Sequence, residues 1–182
     1  MKDASGSPES GLVILTVGHS TRSLDEFIAL LRAHGVTLLA DVRTVPRSRR
    51  NPQFNRDTLP AALAAAGIAY RHLPGLGGLR RPRPDSTNLA WDNEGFRGFA
   101  DYMGTPEFEA ALAEVLELAR RARMAVMCAE AVPWRCHRSL IADALVARGV
   151  YVEHILGPAR RQPHALTRFA RIEGGRVVYP AS

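Results

Sequence analysis

Five short segments with strand character, each closed by a turn signal and separated by helical or loop patterns, constrain this fold more than any other feature. Residues 12–17 (LVILTV) form a near-continuous apolar run that ends in Gly18, His19 and Ser20. Segments at 36–42, 68–73, 124–127 and 150–155 supply four more strands. Continuous apolar runs of this length read as strands covered on both faces, the condition of a parallel sheet. Between the first two, Ser23 and Glu26 have capping-box spacing, and Leu24, Phe27, Ile28, Leu30 and Leu31 follow with helical periodicity up to Gly35. A short helix is expected over 58–66 and another over 96–103. A longer one starts at Thr105-Pro106, with Phe108, Leu112, Val115, Leu116 and Ala119 on one face and Arg120 to Arg123 at its end. The last helix is expected from Cys136, with Leu140, Ile141, Ala144 and Leu145 inward and Gly149 as its stop.

This order predicts an α/β fold: a single domain, a mainly parallel sheet with helices on both faces, and a C-terminal hairpin over 168–179 around Gly174-Gly175. The expected organisation is a disordered leader at 1–10, an α/β domain at 11–158 and an extension at 159–182. Residues 79–94, rich in Arg and Pro, read as a long loop of the kind that often covers a binding site.

The 182 residues carry a formal charge of +6, and Lys2 is the only lysine. The basic balance fits an anionic partner, either nucleic acid or a phosphorylated small molecule, and it fits equally an arginine-rich composition without functional meaning. No apolar run approaches the roughly 20 residues of a membrane span, and the polar N-terminus lacks the apolar core of a signal peptide. Two cysteines do not make a secreted disulfide framework. A cytoplasmic protein without membrane contact is the expectation.

Parallel strands share one carboxyl edge, where open α/β sheets bind ligands. The first strand brings His19, Ser20 and Thr21 to that edge. The second brings Asp41, Arg43, Ser48, Arg49 and Arg50; the third brings Gly77 and Gly78; the fourth brings Cys128, Glu130, Cys136, His137 and Arg138; the fifth carries His154. Asp41 and Arg43 alternate to the same face, as a structural ion pair or as substrate contacts. Glu130 has the chemistry of a general base or nucleophile, or of an ion-pair partner for Arg135 or Arg138. Cys136, at a helix start beside His137 and Arg135, is the better thiolate candidate, and Cys128 fits either a core position or a resolving thiol. Six residues between Cys128 and Arg135 exclude the phosphatase loop, which has five. No familiar zinc spacing joins Cys128, Cys136 and His137, so no metal ligand is assigned. No cofactor is identifiable.

The segments VGHSTRSLDEF, DVRTVPRSRRNPQFN, YRHLPGLGG and CAEAVPWRCHRSLIADAL together resemble the bacterial and archaeal family catalogued as domain of unknown function 488, over about residues 13–158. The resemblance implies an α/β fold in which these motifs converge, and no particular activity. Its motifs point to His19, Ser20, Asp41, Arg43, Pro46, Ser48, Gly77, Gly78, Cys128, Glu130, Cys136, His137, Arg138 and His154.

Three functions fit the residues. The first is an enzyme acting on a nucleotide, nucleic acid or other phosphorylated substrate. In it Glu130 is base or nucleophile, with His19 and Asp41 beside it; His137 is the proton donor. Arg43, Arg49 and Arg138 anchor phosphate, and Trp91 or Trp134 stacks on a base. The second is a thiol or sulfur-chemistry enzyme with Cys136 as nucleophile and Cys128 as its partner. The third is a non-catalytic nucleic-acid-binding protein.

Overall fold

The computed structural model describes residues 11–182; the leader expected at 1–10 lies outside the described residues. Five parallel strands, β1 (Val13–Gly18), β2 (Leu38–Asp41), β3 (Ala69–His72), β4 (Met124–Cys128) and β5 (Tyr151–Gly157), form the sheet. An antiparallel strand, β6 (Arg160–Pro163), completes it on the β5 edge, and the spatial order is β3-β2-β4-β1-β5-β6. The sheet therefore reaches past position 158, where the sequence pattern places the edge of the α/β domain. The C-terminal hairpin forms around Gly174 and Gly175 as β7 (Arg171–Glu173) and β8 (Arg176–Val178), both glycines having positive φ.

Among the described residues five α-helices connect and cover the strands: α1 (Leu24–Ala33), α2 (Leu59–Ala65), α3 (Glu94–Tyr102), α4 (Pro106–Arg121) and α5 (Arg138–Val146). The capping box of Ser23 and Glu26 opens α1, and Thr105 caps α4 with Pro106 in its first turn. The last helix starts two residues later than its pattern predicts. Pro133–Arg135 first makes a 3-10 turn, and Cys136 is left extended.

Alternate residues of each strand feed two cores. Leu15, Val17, Leu39, Ala125 and Met127 pack under α1 and α2, with Phe27, Leu31, Phe54 and Leu63. Ile14, Ala40, Val126 and Cys128 pack on the other face, under Phe99, Phe108, Leu112, Leu140 and Tyr179. Each buried leucine or phenylalanine contributes about 1.5–3 kcal/mol, so the two layers dominate stability.

One topological feature positions the site. The chain leaves β1 through α1 on one face and leaves β4 through α5 on the other, yet β1 and β4 are neighbours in the sheet. Connections that diverge from adjacent strands open a crevice at their carboxyl ends.

Candidate active site

The crevice is lined first by the backbone. Beyond the last strand residues, His19 N–H donates to Cys128 O (3.0 Å) and Ser20 N–H to Ala129 O (2.9 Å), so the β1–β4 ladder runs on into the rim. The close approach requires Gly18, because a Cβ there would lie 1.7 Å from Glu130 O. Ser20 has φ 53, the one non-glycine residue in the left-handed region among the described residues. Strained backbone of this kind collects at functional sites.

From β2, Asp41 and Arg43 form a closed unit. Arg43 donates through Nε to Asp41 Oδ1 (2.9 Å) and through Nη2 to Oδ2 (2.8 Å) and to Phe54 O (2.7 Å). Arg43 N–H and the Tyr70 hydroxyl supply Asp41 with two further bonds, at 3.1 and 2.5 Å. Asp41 is fully buried, and four donors compensate its charge. Burial, then the Asp41 carboxylate, push the Tyr70 phenol well above its ordinary range. The structure thus makes Arg43 chiefly an ion-pair partner. Its Nη1 faces His19 Nε2 at 3.4 Å.

His19 is buried and stacked on Phe54, with ring centroids 4.3 Å apart. Its Nδ1–H donates to Ser20 O (2.8 Å), which leaves Nε2 as the acceptor facing Arg43. Burial lowers its pKa, the Ser20 bond offsets part of that, and Arg43 lowers it further. His137 is fixed in the same way. Its Nε2–H donates to Val42 O (3.1 Å) and its Nδ1 faces Cys136 Sγ at 3.4 Å. Burial pushes it down despite bonds to the Val42 and Leu76 backbone. Both imidazoles are held in place by these bonds, and burial disfavours the charged form of each. Gly78 is required against this ring: a Cβ would come within 2.6 Å of His137 Nδ1. Gly77 is required in turn by Thr44, whose Oγ1 a Cβ would approach to 2.4 Å.

The β4 loop carries the remaining chemistry. Arg138, entirely buried, reaches back under the loop. It donates through Nη1 to Thr16 Oγ1 (2.8 Å) and through Nη2 to Glu130 O (2.9 Å), and its Nε has no partner. It does not pair with the Glu130 carboxylate, which is exposed and has no ion pair or side-chain hydrogen bond among the described residues. The two thiols are unoxidised; Cys128 Sγ donates to Glu130 O (3.6 Å), and Cys136 Sγ accepts from Arg138 N–H (3.5 Å). Burial opposes ionisation of Cys128, but the Cys136 bond, the Arg138 charge and the Glu130 backbone outweigh it and bring its pKa down. The Cys128 bond and burial push Cys136 up.

These groups surround an open cavity of about 780 Å³, within the usual range for small-molecule sites. His19, Ser20, Arg43, Ser48, Gly78, Cys128, Glu130, Cys136 and His137 all line it. Asp41, Arg49, Gly77, Arg138 and His154 do not; they stand behind the wall or away from it. The free cations at the wall are Arg47 and Arg135, whose side chains make no ion pair among the described residues. Arg47 lies in the same charge run as Arg49, and spacing alone does not say which of them faces inward. Asn93, Gly95 and Phe96 line the opposite side, from the end of the long loop into α3. Ser48 shapes the rim by accepting from Asn51 N–H (3.0 Å). Trp91 is not a stacking platform: it packs against Phe96, Phe169 and Tyr179. Trp134 remains 65% exposed on the same turn as Arg135.

His154 belongs to a second polar feature that the sequence pattern does not reveal. Arg138 only donates, so Thr16 Oγ1 accepts from it and donates to His154 Nδ1 (2.5 Å). His154 Nε2–H then donates to His164 Nδ1 (2.8 Å), and His164 Nε2–H to Asp143 Oδ1 (2.7 Å). Tyr179 and Thr167 complete Asp143 through Oδ2, at 2.7 and 2.6 Å. Burial, then the His164 and Arg138 charges, lower the His154 pKa to about 3. His164 has no sequence context; only the β5–β6 hairpin, which joins its backbone to Val152, brings it here.

Among the described residues no cluster of three or more His, Cys, Asp or Glu side chains is disposed to hold a metal, and no helix is long and apolar enough to cross a membrane. The fold and rim define an α/β protein with a polar cavity at the switch point of a mainly parallel sheet. The chain belongs to the family described as domain of unknown function DUF488, whose family model matches residues 23–145. That span covers α1 through most of α5, and with it every cavity-lining residue except His19, Ser20 and Thr21. Comparison with curated proteins and with solved structures returned no match.

Proposed function

We propose that this chain is an enzyme that takes a nucleotide, or a nucleotide unit of a nucleic acid, into the crevice at the β1–β4 carboxyl ends. The observation that carries the reading is Glu130. It is the one carboxylate among the described residues that line the cavity, and its side chain is free of the ion pairs that hold Asp41. A free carboxylate beside two free guanidiniums, Arg47 and Arg135, suits an anionic substrate whose reacting carbon or water meets Glu130 as nucleophile or base. The hydrogen-bonded His19 and His137 position the wall. Hydrolase or transferase chemistry at an N-glycosidic or phosphate bond uses this set.

Trp134 favours a second reading, in which a single nucleic-acid strand crosses the mouth. Its exposed ring and the exposed Val45 and Leu79 offer stacking and apolar contact beside the arginines. In that reading the protein binds without turnover.

One experiment separates the two. Nucleotides, sugar phosphates and short single-stranded oligonucleotides are screened by thermal shift and by chromatography of the incubated ligand. Wild type, Glu130→Gln and Arg47→Ala/Arg135→Ala are compared. A ligand at about 100 times its Kd adds roughly 2.7 kcal/mol to stability. The enzyme reading expects product with wild type, none with Glu130→Gln despite a retained shift, and loss of the shift in the double arginine variant. Binding by all forms without product from wild type would establish the non-catalytic reading instead.

A further inference from the structure

Arg138 and Asp143 are the buried cation and the buried anion of α5, and they cannot meet. Five residues apart, they stand about 140° from each other around the helix axis. Both are 0% exposed. Among the described residues no carboxylate pairs with Arg138, and no guanidinium pairs with Asp143. Uncompensated charges in the interior are costly. What joins the two is a chain of three side chains from three other segments: Thr16 of β1, His154 of β5 and His164, which directly follows β6.

The chain has one direction. A guanidinium only donates and a carboxylate only accepts. Each link therefore passes a donated hydrogen bond from Arg138 toward Asp143, and both imidazoles carry their proton on Nε2. All five side chains are buried, so an apolar group at any link strands donors and acceptors on either side of it.

The ends of the chain lie at different places in the molecule. Asp143 accepts from His164, from the N–H and hydroxyl of Thr167 and from the Tyr179 hydroxyl, all residues of the C-terminal segment. At the other end Arg138 Nη2 donates to the carbonyls of Glu130 (2.9 Å) and Ala131 (3.4 Å). The guanidinium is planar and rigid, so the Nη1 bond to Thr16 sets the plane in which Nη2 meets the β4 loop. That loop carries the free carboxylate of the cavity wall.

We propose that Thr16 and His164 are positioning residues for Glu130: through the buried chain the C-terminal segment holds the β4 loop in place, and the residues beyond β6 are part of the candidate site. The importance of that position rests on the reading of Glu130 as the reacting carboxylate; the coupling does not. A break anywhere in the chain releases the guanidinium plane and the loop with it, and a second break adds nothing.

The test is amide hydrogen exchange on the native full chain, read by mass spectrometry in peptides covering residues 129–136. Peptides of α1 and α2, which pack on the other face of the sheet, are the control. His164→Leu and Thr16→Val break the chain at two different links, whereas His164→Gln and Thr16→Ser keep its donors and acceptors. The loop amides are expected to exchange about ten-fold faster in the first two variants, with the control unchanged and the Gln and Ser variants like wild type. The double variant His164→Leu/Thr16→Val is expected to match the single ones rather than reach about a hundred-fold. Unchanged loop exchange in the folded single variants, equal acceleration of loop and control, or multiplied effects in the double variant overturns the proposal. A measurement on wild type needs no variant: imidazole nitrogen shifts at neutral pH are expected to show His154 and His164 both in the Nε2–H form. An imidazolium or an Nδ1–H form at either residue reverses a link and overturns the proposal. Coupled exchange without nucleotide turnover discards the chemistry assigned to Glu130 and keeps the coupling. Turnover with uncoupled exchange does the reverse, so the two failures are distinguishable.

Discussion

Gly18 and Glu130 are in van der Waals conflict with any side chain larger than hydrogen: a Cβ on Gly18 would stand 1.7 Å from the Glu130 carbonyl oxygen. The same carbonyl accepts from Arg138 Nη2, so the strand end, the loop and the buried guanidinium are set against one another. Gly18→Ala must push the loop away and break that bond. Overpacking and a lost charged hydrogen bond predict destabilisation by about 3 kcal/mol, or roughly 2–4 °C in Tm for each kcal/mol in a chain of this size. Urea titration measures the first number. A change below about 0.5 kcal/mol would mean that the loop yields freely and does not hold Glu130 in place.

Asp41 and Arg43 make a different prediction, because each is the other's compensation. Asp41→Asn leaves the Arg43 guanidinium buried without its carboxylate and is expected to cost about 3–5 kcal/mol. Tyr70→Phe removes only one donor to Asp41 Oδ2 and is expected to cost about 1 kcal/mol. The ratio of the two, read from denaturant unfolding, distinguishes a structural ion pair from a substrate contact. Near-equal small effects would return Arg43 to the list of anion anchors.

The fold was largely legible because strand and helix periods differ and their caps are local. Ser23 with Glu26, and Thr105 with Pro106, mark their helices in four residues or fewer. The convergence of His19, Cys128, Glu130 and His137 was legible too, since parallel strands end on one edge. What each residue does there was not. Arg43 and Arg138 have the composition of phosphate anchors, and only three-dimensional packing reveals that Asp41 occupies one and the Glu130 backbone the other. The requirement for Gly77 and Gly78 comes from Thr44 and His137, far away in sequence, and not from turn dihedrals. β6 escaped notice because its residues, RRQP, are all exposed and carry no apolar alternation. With it went His164.

The histidine relay predicts an acid-labile fold. The His154 pKa is about 3 in the folded chain, against 6.5 for an unperturbed imidazole. Between these values the unfolded state binds one proton more than the folded state, so unfolding becomes easier as pH falls. Its contribution is complete above pH 6.5 and is lost progressively toward pH 3, at up to about 1.4 kcal/mol per unit. His19 and His137 are shifted in the same direction and add to the slope. From pH 6.5 to 5, wild type is expected to lose about 2 kcal/mol more than His154→Gln, whose amide can still accept from Thr16 and donate to His164. Parallel stability–pH curves for the two proteins would remove His154 as the source.

Ser20 supplies the last prediction, and it runs toward stability. Its left-handed backbone, φ 53, costs a residue with a side chain about 1–3 kcal/mol, whereas glycine adopts it freely. Glycine in turn gives the unfolded chain more freedom, worth about 0.4–1 kcal/mol in the opposite sense. Ser20→Gly is therefore expected to stabilise by about 1 kcal/mol, measured by denaturant unfolding. Ser20 lines the cavity, its N–H is committed to Ala129 O, and its carbonyl is committed to His19 Nδ1. The strain thus fixes both the rim and the tautomer of His19. A stabilised Ser20→Gly that loses affinity for a ligand found in the thermal-shift screen would show that the strained serine is held for the site. A destabilised one would show that the backbone is relaxed there and that the side chain itself contributes to the fold.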